Sequence, residues 1–207
     1  MFITFEGGEG SGKSTQVGLL AEKLRESGRD VISTREPGGV ASAERIRSLL
    51  VSGSADAWDP VSETLMFYAA RIEHLHRLIC PALKASKTIV CDRFADSTRV
   101  YQGIGKGVSM DFIDRLHALT LEDFCPDITF ILDIDPKMGL KRAALRSDDE
   151  NRFESMDFAF HEKVRQGFLD IAWKHPGRCV VVNADQPPQV IHNEIMAQLA
   201  PRLKAVS

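Results

Sequence analysis

A glycine-rich segment near the start of the chain has the residue types and the spacing of a phosphate-binding loop. Residues 7–14 read G-G-E-G-S-G-K-S and match the pattern G-x-x-x-x-G-K-[ST] in full. Glycines let the backbone wrap closely around a polyphosphate, so that N–H groups and a helix N-terminus point at the anion. Lys13 can then reach the β- and γ-phosphates, and the Ser14 hydroxyl can join the ligand shell of Mg²⁺. The residues predicted to bind phosphate in this way are Gly7, Gly8, Glu9, Gly10, Ser11, Gly12, Lys13, Ser14 and Thr15.

The flanks of the loop support this interpretation. Residues 1–6 form a short apolar run that suits a buried strand, and residues 15–27 carry apolar positions at helical spacing. The order strand, glycine loop, helix is the context that the motif requires. A plain glycine-rich turn with a chance lysine is the alternative, and both flanks argue against it.

Charged pairs follow two further apolar runs. Asp92 and Arg93 come directly after I-V-C, and Arg35 and Glu36 come after V-I-S-T, next to Pro37. A carboxylate in such a place can hold Mg²⁺, and an arginine offers a planar fork for a phosphate. Each pair could also be an internal salt bridge, and P-G-G a plain turn. Their position favours function, because ligands gather at the carboxyl ends of parallel strands.

The segment L-M-F-Y-A-A-R contains an aromatic ring and a guanidinium at helical spacing. Phe67 and Arg71 are four residues apart and therefore share one face of a helix. A flat ring with a planar donor beside it suits a nucleobase. Core packing plus a surface arginine is the commoner explanation for such a pair in isolation.

These side chains need a scaffold that brings strand ends together. Apolar β-type runs recur at residues 2–5, 30–34, 88–91, 128–134 and 179–183. Helical patterns separate them, with helices expected at residues 43–51, 61–83, 112–121, 137–146, 158–173 and 190–203. Alternation of this kind predicts an α/β protein, a three-layer α/β/α sandwich around a five-stranded parallel sheet that is buried on both faces.

Composition narrows the class of protein. The 207 residues predict one domain, and a net charge of −3 gives no global basic field for nucleic-acid binding. The four cysteines are widely separated without a C-x-x-C pair, which predicts reduced, buried thiols. No stretch approaches the ~20 apolar residues of a membrane span, and the N-terminus lacks a leader pattern. We expect a soluble, cytoplasmic protein.

A charged insert interrupts the helical pattern in the second half of the chain. Residues 147–155 read S-D-D-E-N-R-F-E-S, and a charge run of this kind is usually a solvated loop. Arg142, Arg146 and Arg152 give it a case for function, because loops that hold arginine can close over phosphates. We therefore predict a lid at about residues 142–155 within a single domain covering residues 1–207.

Taken together, the motifs resemble those of a known family, the bacterial thymidylate kinases. The resemblance extends from F-E-G-G-E-G-S-G-K-S-T through T-R-E-P-G-G, L-M-F-Y-A-A-R and V-C-D-R-F-A-D-S-T-R-V-Y-Q-G to V-N-A-D-Q near the C-terminus. A glycine loop alone fits many activities, whereas D-R-F-x-x-S-T-x-x-Y-Q beside T-R-E-P-G-G narrows the choice. The resemblance implies a P-loop nucleotide kinase fold and transfer of the γ-phosphoryl group of ATP to dTMP, with Mg²⁺. The products would be ADP and dTDP, on the route to dTTP.

The resemblance also implies how the acceptor is held. Phe67 would stack on thymine, Arg71 and Thr98 would hydrogen-bond its edge with Gln102 nearby, and Tyr101 would lie where a ribose 2′-hydroxyl projects. Arg35, Arg47 and Arg93 would hold the acceptor phosphate. The implied substrate-binding set is Arg35, Glu36, Pro37, Arg47, Phe67, Arg71, Arg93, Ser97, Thr98, Tyr101 and Gln102.

For the chemistry, the resemblance implies that the lid supplies positive charge, because the glycine loop carries an acidic residue at chain position 9. Glu9 and Glu36 would lie near the 3′-hydroxyl of the acceptor or near a metal-bound water, and Arg142 would bind the donor nucleotide. The implied catalytic set is Lys13, Arg93, Arg146, Arg152 and Glu9, and the implied metal set is Ser14, Asp92 and Glu36.

The resemblance also has implications for binding partners, and alternative functions have to be weighed against it. It implies dTMP and ATP as substrates, no nucleic acid or membrane partner, and a homodimer packed through helices, with residues 61–83 (Phe67, Leu75, Leu78 and Ile79) contributing. Ala43 stands where many relatives have glycine, and Asn151 where aspartate is common; both concern turn or lid detail. The rivals are a kinase for another nucleoside monophosphate, a P-loop switch module, which usually carries N-K-x-D, and an inactive paralogue.

Overall fold

The computed structural model describes residues 1–145 and 152–205. Within these residues five parallel strands form one sheet in the order β2-β3-β1-β4-β5. The strands are β1 (Phe2–Glu6), β2 (Val31–Arg35), β3 (Thr88–Asp92), β4 (Ile128–Asp133) and β5 (Cys179–Asn183). The predicted parallel sheet is confirmed, and each strand boundary lies within one residue of its expected place.

The central strand fixes the sheet. All five residues of β1 are buried, and Ile3 pairs with Val90 of β3 on one side and with Ile128 of β4 on the other. Burial of a strand on both faces explains why its residues form a continuous apolar run. The phosphate-binding motif follows this strand directly, which places it at the carboxyl edge of the sheet.

Helices cover both faces. They are α1 (Lys13–Glu26), α2 (Ala41–Leu50), α3 (Pro60–His74), α4 (Cys80–Lys84), α5 (Ala95–Thr98), α6 (Met110–Leu121), α7 (Pro136–Ala143), α8 (Phe158–Lys174) and α9 (Pro188–Ala205). Helices α1 and α9 pack against Ile3 and Phe5 on one face. Helices α3, α4 and α6 pack against Phe2 and Ile89 on the other, where α8 covers Ile131. The predicted three-layer α/β/α arrangement is confirmed.

The long helix expected at residues 61–83 has a different inner geometry. It runs from α3 through a π-helical segment at Leu75–Ile79 into α4. Pro81 follows that segment, and a proline ring clashes with the carbonyl four residues earlier in a regular α-helix. The wider π turn, in which the Cys80 N–H bonds to the Leu75 carbonyl, relieves that conflict.

A second π-helical segment was not predicted. It spans Arg99–Gly105 and continues α5, so that residues 95–105 form one irregular helix after β3. The sequence A-D-S-T-R-V-Y-Q-G-I-G has no clean helical period because polar residues in it are buried: Asp96, Thr98 and Gln102 are each at most 4% exposed. This helix supplies several of the expected substrate contacts.

The helical segment expected to contribute to a dimer, residues 61–83, exposes other apolar residues than expected. Leu75 and Ile79 lie in the core of the chain itself, at 4% and 0% exposure, and so cannot contact a partner. The exposed apolar stripe of α3 consists instead of Val61, Leu65 and Ala69. The expectation for Leu75 and Ile79 is wrong because their spacing reflects packing onto the sheet.

Two expectations from composition can also be compared with the structure. The four cysteines are free thiols; Cys91 and Cys179 are buried and Cys80 partly so, but Cys125 is exposed, contrary to the expectation of burial. Among the helices that the structure describes, none combines the length and the apolar character needed to cross a bilayer.

Candidate active site

A cavity of about 960 Å³ opens at the carboxyl edge of the sheet, where β1, β2 and β3 end. It brings together most of the residues singled out in the sequence. Those that line it are Glu9, Gly10, Ser11, Gly12, Lys13, Ser14, Thr15, Arg35, Glu36, Pro37, Arg47, Phe67, Arg71, Asp92, Arg93, Ser97, Thr98, Tyr101, Gln102 and Arg142. Gly7 and Gly8, the first two residues of the loop, instead line a separate cavity of about 20 Å³.

The phosphate loop ends at an open helix N-terminus. Helix α1 begins at Lys13, and Gly12 before it has a φ of 89°, a left-handed conformation that suits glycine. No side chain caps this end of α1 among the described residues, so its first N–H groups are available to an anion. The geometry is that of a phosphate cradle.

Lys13 is folded back into the loop. Its ammonium donates to the carbonyl oxygens of Gly7 and Gly8, at 3.2 and 2.8 Å, and to Oγ of Ser11 at 3.2 Å. Burial, reinforced by the charge of Arg93, lowers the pKa of Lys13 to about 8. A polyphosphate would add negative charge beside this buried ammonium and so favour its charged form.

The backbone of the phosphate loop lies directly against the backbone of α7. A Cβ atom on Gly10 would lie 1.9 Å from the carbonyl oxygen of Gly139, and one on Gly139 would lie 2.4 Å from the carbonyl oxygen of Glu9. Only glycine fits at both positions. The phosphate loop and the first turn of α7 are therefore in direct contact.

Ser14 and Asp92 form the part of the predicted metal set that the structure brings together. The Ser14 hydroxyl donates to Oδ2 of Asp92 over 2.6 Å, which joins the loop to the end of β3. A hydroxyl beside a carboxylate offers the hard oxygen ligands that Mg²⁺ prefers, with phosphate oxygens and waters completing the shell. These two residues fit the ion.

Glu36, the third residue of that set, is engaged elsewhere. Its Oε2 accepts from Nε of Arg71 over 2.7 Å, and its Oε1 lies 3.0 Å from Nδ1 of His74. The carboxylate is only 4% exposed. The structure therefore gives Glu36 the role of holding Arg71 in place, and metal binding by Glu36 has no support in this geometry.

Arg93 is held in a strained position beside the loop. Its backbone has a φ of 67°, which is unfavourable for a residue with a side chain and typical of functional sites. Its Nη1 donates to the carbonyl oxygen of Gly7 at 3.1 Å and to Oγ of Ser97 at 3.3 Å, while Nη2 pairs with Oε1 of Glu9 at 2.9 Å. The guanidinium plane thus lies next to the phosphate cradle.

Phe67 and Arg71 both reach the cavity from α3, as their spacing predicts. Arg71 is 2% exposed, and its Nη2 donates to Oγ1 of Thr98 at 3.1 Å. Its Nη1 is buried without a hydrogen-bond partner in the described part of the chain. A buried donor of this kind is costly unless a ligand supplies the acceptor. The ring of Phe67 stands beside that of Phe153, with centroids 6.2 Å apart.

The other two arginines predicted to hold the acceptor phosphate, Arg35 and Arg47, also reach the cavity. Arg35 is exposed and its Nη2 lies 3.2 Å from Oε2 of Glu44. Arg47 donates from Nη1 to the carbonyl oxygen of Pro37 over 2.8 Å. Both line the cavity, as Arg93 does.

A loop after β5 completes the far side of the cavity and was not among the predicted site residues. Arg142 donates to the carbonyl oxygen of Ala184 at 2.8 Å and to Oδ1 of Asp185 at 3.0 Å. Residues 185–188 line the cavity beside Gln16. Their place after a strand of the parallel sheet was the available signal. This side suits the donor nucleotide, because it adjoins the first turn of α1.

The lid prediction is only partly testable, because Arg146 and Asn151 lie outside the described residues. Arg152 is described, and it does not reach the phosphate loop. It is 1% exposed, donates to the carbonyl oxygens of Leu50, Ser54 and Ala55 at 2.9 to 3.1 Å, and pairs with Glu63. The structure therefore corrects the expectation that Arg152 faces the reacting phosphates.

A buried carboxylate next to the loop also escaped notice in the sequence. Glu6 ends β1 and accepts hydrogen bonds from the backbone N–H groups of Phe94 and Ser97 and from the Ser97 hydroxyl. Burial, together with the nearby charge of Asp96, raises the pKa of Glu6 to about 7. Glu6 thereby fixes the chain just after Arg93. Its place in an apolar strand was the only sequence signal.

Comparisons with known proteins agree with this geometry. The sequence model of the family described as Thymidylate kinase matches residues 5–195. The chain is 52% identical over 184 residues to the thymidylate kinase of Caulobacter vibrioides, covering 89% of this chain and 88% of that protein. It is 48% identical to that of Dinoroseobacter shibae, with 95% of each chain covered. The crystal structure of thymidylate kinase from Ehrlichia chaffeensis superposes with a TM-score of 0.80 at 41% identity, covering 96% of this chain and 98% of that one, and so confirms the expected fold.

Proposed function

The chain belongs to the thymidylate kinase family, and on that premise we propose that the cavity transfers the γ-phosphoryl group of ATP to dTMP, giving ADP and dTDP. The enzyme is an ATP:dTMP phosphotransferase of dTTP biosynthesis. The observation that carries the assignment is that the phosphate cradle shares one cavity with Phe67 and with Arg71, whose Nη1 is a buried donor without a partner among the described residues.

The reaction asks mainly for alignment and for compensation of charge. The attacking oxygen belongs to the phosphate of dTMP, which is ionised near neutral pH, so no general base is needed. The difficulty is to bring two polyanions together. Lys13 and Arg93 lie on the side of the cavity where they would meet, and we assign both to charge compensation.

Each of these groups has to change partners for the substrates. Lys13 exchanges the carbonyl oxygens of Gly7 and Gly8 for phosphate oxygens, which bear full negative charge and are stronger acceptors. Arg93 keeps Nη1 on the loop and turns Nη2 from Glu9 to the acceptor phosphate. Ser14 and Asp92 would hold Mg²⁺, which neutralises charge between the β- and γ-phosphates when bound.

With Arg152 engaged elsewhere, Arg142 and Arg146 are the arginines that remain for the proposed lid. We propose that the segment around residues 142–155 closes over the donor and that Arg146 is the arginine that acts on the transferring group. Arg142 binds the donor nucleotide from the end of α7. Closure also excludes water, which would otherwise accept the phosphoryl group.

A substrate panel tests the reaction directly. ADP formation is followed by a coupled assay with ATP and Mg²⁺ against dTMP, dUMP, UMP, CMP, AMP and GMP, and we expect dTMP to give the highest kcat/KM. Preference for another monophosphate would reassign the acceptor. ADP formation that no acceptor stimulates would instead indicate a P-loop switch. The same assay without Mg²⁺ tests the metal requirement.

We also propose a homodimer of one-domain chains, located in the cytoplasm. The exposed stripe of Val61, Leu65 and Ala69 on α3 supports an interface there, because adjacent apolar side chains on a helix are usually covered. Light scattering after size exclusion should give a mass near twice the 23.0 kDa chain, and Leu65→Asp should halve it. A monomeric parent would overturn this proposal without touching the reaction.

A further inference from the structure

Glu63 lies next to the base pocket and takes no part in the reaction described above. It is 0% exposed on α3, and three donors from outside that helix converge on its carboxylate. Nε2 of Gln102 lies 2.7 Å from Oε1, while Nζ of Lys106 and Nη2 of Arg152 lie 2.8 and 2.5 Å from Oε2. A carboxylate so enclosed has a fixed position and offers nothing but acceptors.

That fixed acceptor determines which way the Gln102 amide faces. A glutamine side chain has one donor end and one acceptor end, and only its NH₂ group can bond to a carboxylate. Since Nε2 is committed to Glu63, Oε1 is the atom of the amide that remains for a ligand. Gln102 lines the cavity, so this atom supplies an acceptor there.

Two residues of the cavity lining, Arg71 and Gln102, therefore offer a donor and an acceptor of known identity. The donor is Nη1 of Arg71, which is buried without a partner among the described residues, and the acceptor is Oε1 of Gln102. Thymine and uracil carry an acceptor, O4, next to a donor, N3–H. Cytosine carries the reverse, a 4-amino donor next to an unprotonated N3. The first pattern matches the protein at both positions and the second at neither.

We propose that Glu63 is a positioning residue that holds the Gln102 amide with its oxygen towards the base, and thereby selects 4-oxo pyrimidines over cytosine. This inference rests on the proposed function, because it concerns the acceptor of the same reaction. Lys106 and Arg152 offset the buried charge of Glu63, so that a carboxylate is tolerated at this position. An amide in place of the carboxylate could donate as well as accept, and Gln102 would then be free to turn.

The test compares dTMP with dCMP. Glu63→Gln puts a group that can both donate and accept opposite Gln102, so the amide can rotate. We expect the ratio of kcat/KM for dTMP to that for dCMP to fall at least about tenfold. A site with fixed donors and acceptors strongly rejects a ligand that leaves them unpaired, and an amide that can rotate loses this discrimination. KM for ATP should stay within a few-fold. An unchanged ratio in a folded variant would overturn the proposal.

A matched control separates orientation from damage to the cluster. Lys106→Met removes a cation from the same carboxylate but leaves the contact of Glu63 with Gln102, so the ratio should hold within about threefold. A fall equal to that in Glu63→Gln would mean that only loss of packing matters. In a Gln102→Leu background, Glu63→Gln should no longer alter the ratio; a further tenfold fall there would show that Glu63 acts by another route.

A measurement on the parent protein covers the case in which Glu63→Gln does not fold. The side-chain NH₂ resonances of Gln102, assigned by their loss in Gln102→Leu, should exchange with solvent slowly with or without dTMP. Exchange as fast as that of an exposed glutamine would overturn the proposal. A parent that does not use dTMP at all would overturn the proposed function, whereas a parent active on dTMP with an unchanged ratio in Glu63→Gln overturns only the role of Glu63.

Discussion

Tyr101 donates its phenolic hydrogen to Oε1 of Glu9 over 2.8 Å and thereby ties the irregular helix after β3 to the phosphate loop. The same carboxylate oxygen pairs with Arg93, whose guanidinium lies 5.0 Å from the centre of the Tyr101 ring. The ring is thus held from its hydroxyl end and from its face.

A ring held in this way can exclude a ribose 2′-hydroxyl. Tyr101→Ala should raise kcat/KM for the ribonucleotide relative to dTMP, because it opens space at the sugar. Tyr101→Phe is the matched control, since it loses the bond to Glu9 but keeps the ring, and its ratio should stay close to that of the parent. If both variants show the parent ratio, discrimination between the sugars lies elsewhere.

Lys13 should take up a proton when ATP binds. Its pKa of about 8 in the free protein reflects burial, and the phosphate charge of ATP favours the ammonium form and so raises the pKa. Between pH 8 and 9, calorimetry in buffers of different ionisation enthalpy should reveal net proton uptake. Lys13→Met should abolish both uptake and turnover while keeping the fold. Uptake that persists in this variant would assign the proton to another group.

Under the proposed function, Phe67 provides the flat surface for the base. Phe67→Ala should raise KM for dTMP roughly 5- to 150-fold, since stacking on an aromatic ring is worth about 1–3 kcal/mol. KM for ATP should change little. Phe158→Ala, on α8 and outside the cavity lining, is the control for a general effect of losing an aromatic ring. Equal effects of Phe67→Ala on both substrates would place Phe67 in the core.

Replacement of Arg146 should affect turnover, whereas replacement of Arg152 should affect stability. Arg146→Ala should lower kcat at least ~100-fold with a smaller change in KM for dTMP, because arginines that stabilise phosphoryl transfer act in the transition state. Arg152→Ala should instead reduce the free energy of unfolding by about 3 kcal/mol, because it breaks a buried pair with Glu63.

Both variants are measured by thermal unfolding and by kcat on the folded fraction. A large loss of kcat in Arg152→Ala with unchanged stability would restore the expectation that this arginine moves onto the phosphates. Full activity in Arg146→Ala would leave charge compensation to Lys13, Arg93 and the metal.

Glu6 should make stability depend on pH. Its pKa is raised from 4.5 to about 7 in the folded chain, so the folded state keeps a proton that the unfolded state releases between those values. The contribution of Glu6 to stability is therefore fully present below pH 4.5 and is lost as the pH rises to about 7. The difference in unfolding free energy between the parent and Glu6→Gln should fall by roughly 1–3 kcal/mol over that range. Glu22→Gln, an exposed change on α1, should show no such trend.

The sheet and most of the cavity could be predicted because they follow short-range rules. Apolar runs mark the strands, and charged residues directly after them mark the carboxyl edge, which is how Arg35, Asp92 and Arg93 were identified. Phe67 and Arg71 share a face because they are four apart. Each inference needs only local spacing and one rule about where parallel strands end.

Which way a charged side chain points, and which residue it pairs with, could not be predicted in the same way. Arg152 and Glu63 carry the charges expected of surface residues, yet they neutralise each other inside the chain, and nothing in their local sequence marks a partner 89 positions away. The irregular helix at residues 95–105 escaped prediction because polar residues interrupt its buried face. Long-range polar pairing leaves no periodic trace in a sequence.

Gly10 and Gly139 bring the main chain of the phosphate loop directly against that of α7. Since a Cβ at either position would meet backbone, a rotation of α7 as a whole would drive the two main chains into each other. The contact extends to the last residue of α7, because a Cβ on Gly10 would also lie 3.1 Å from the backbone nitrogen of Ala143. If the segment around residues 142–155 closes over the donor as proposed, we expect the hinge of that motion to lie beyond Ala143, so that α7 and the phosphate loop keep their relative position while the donor is enclosed.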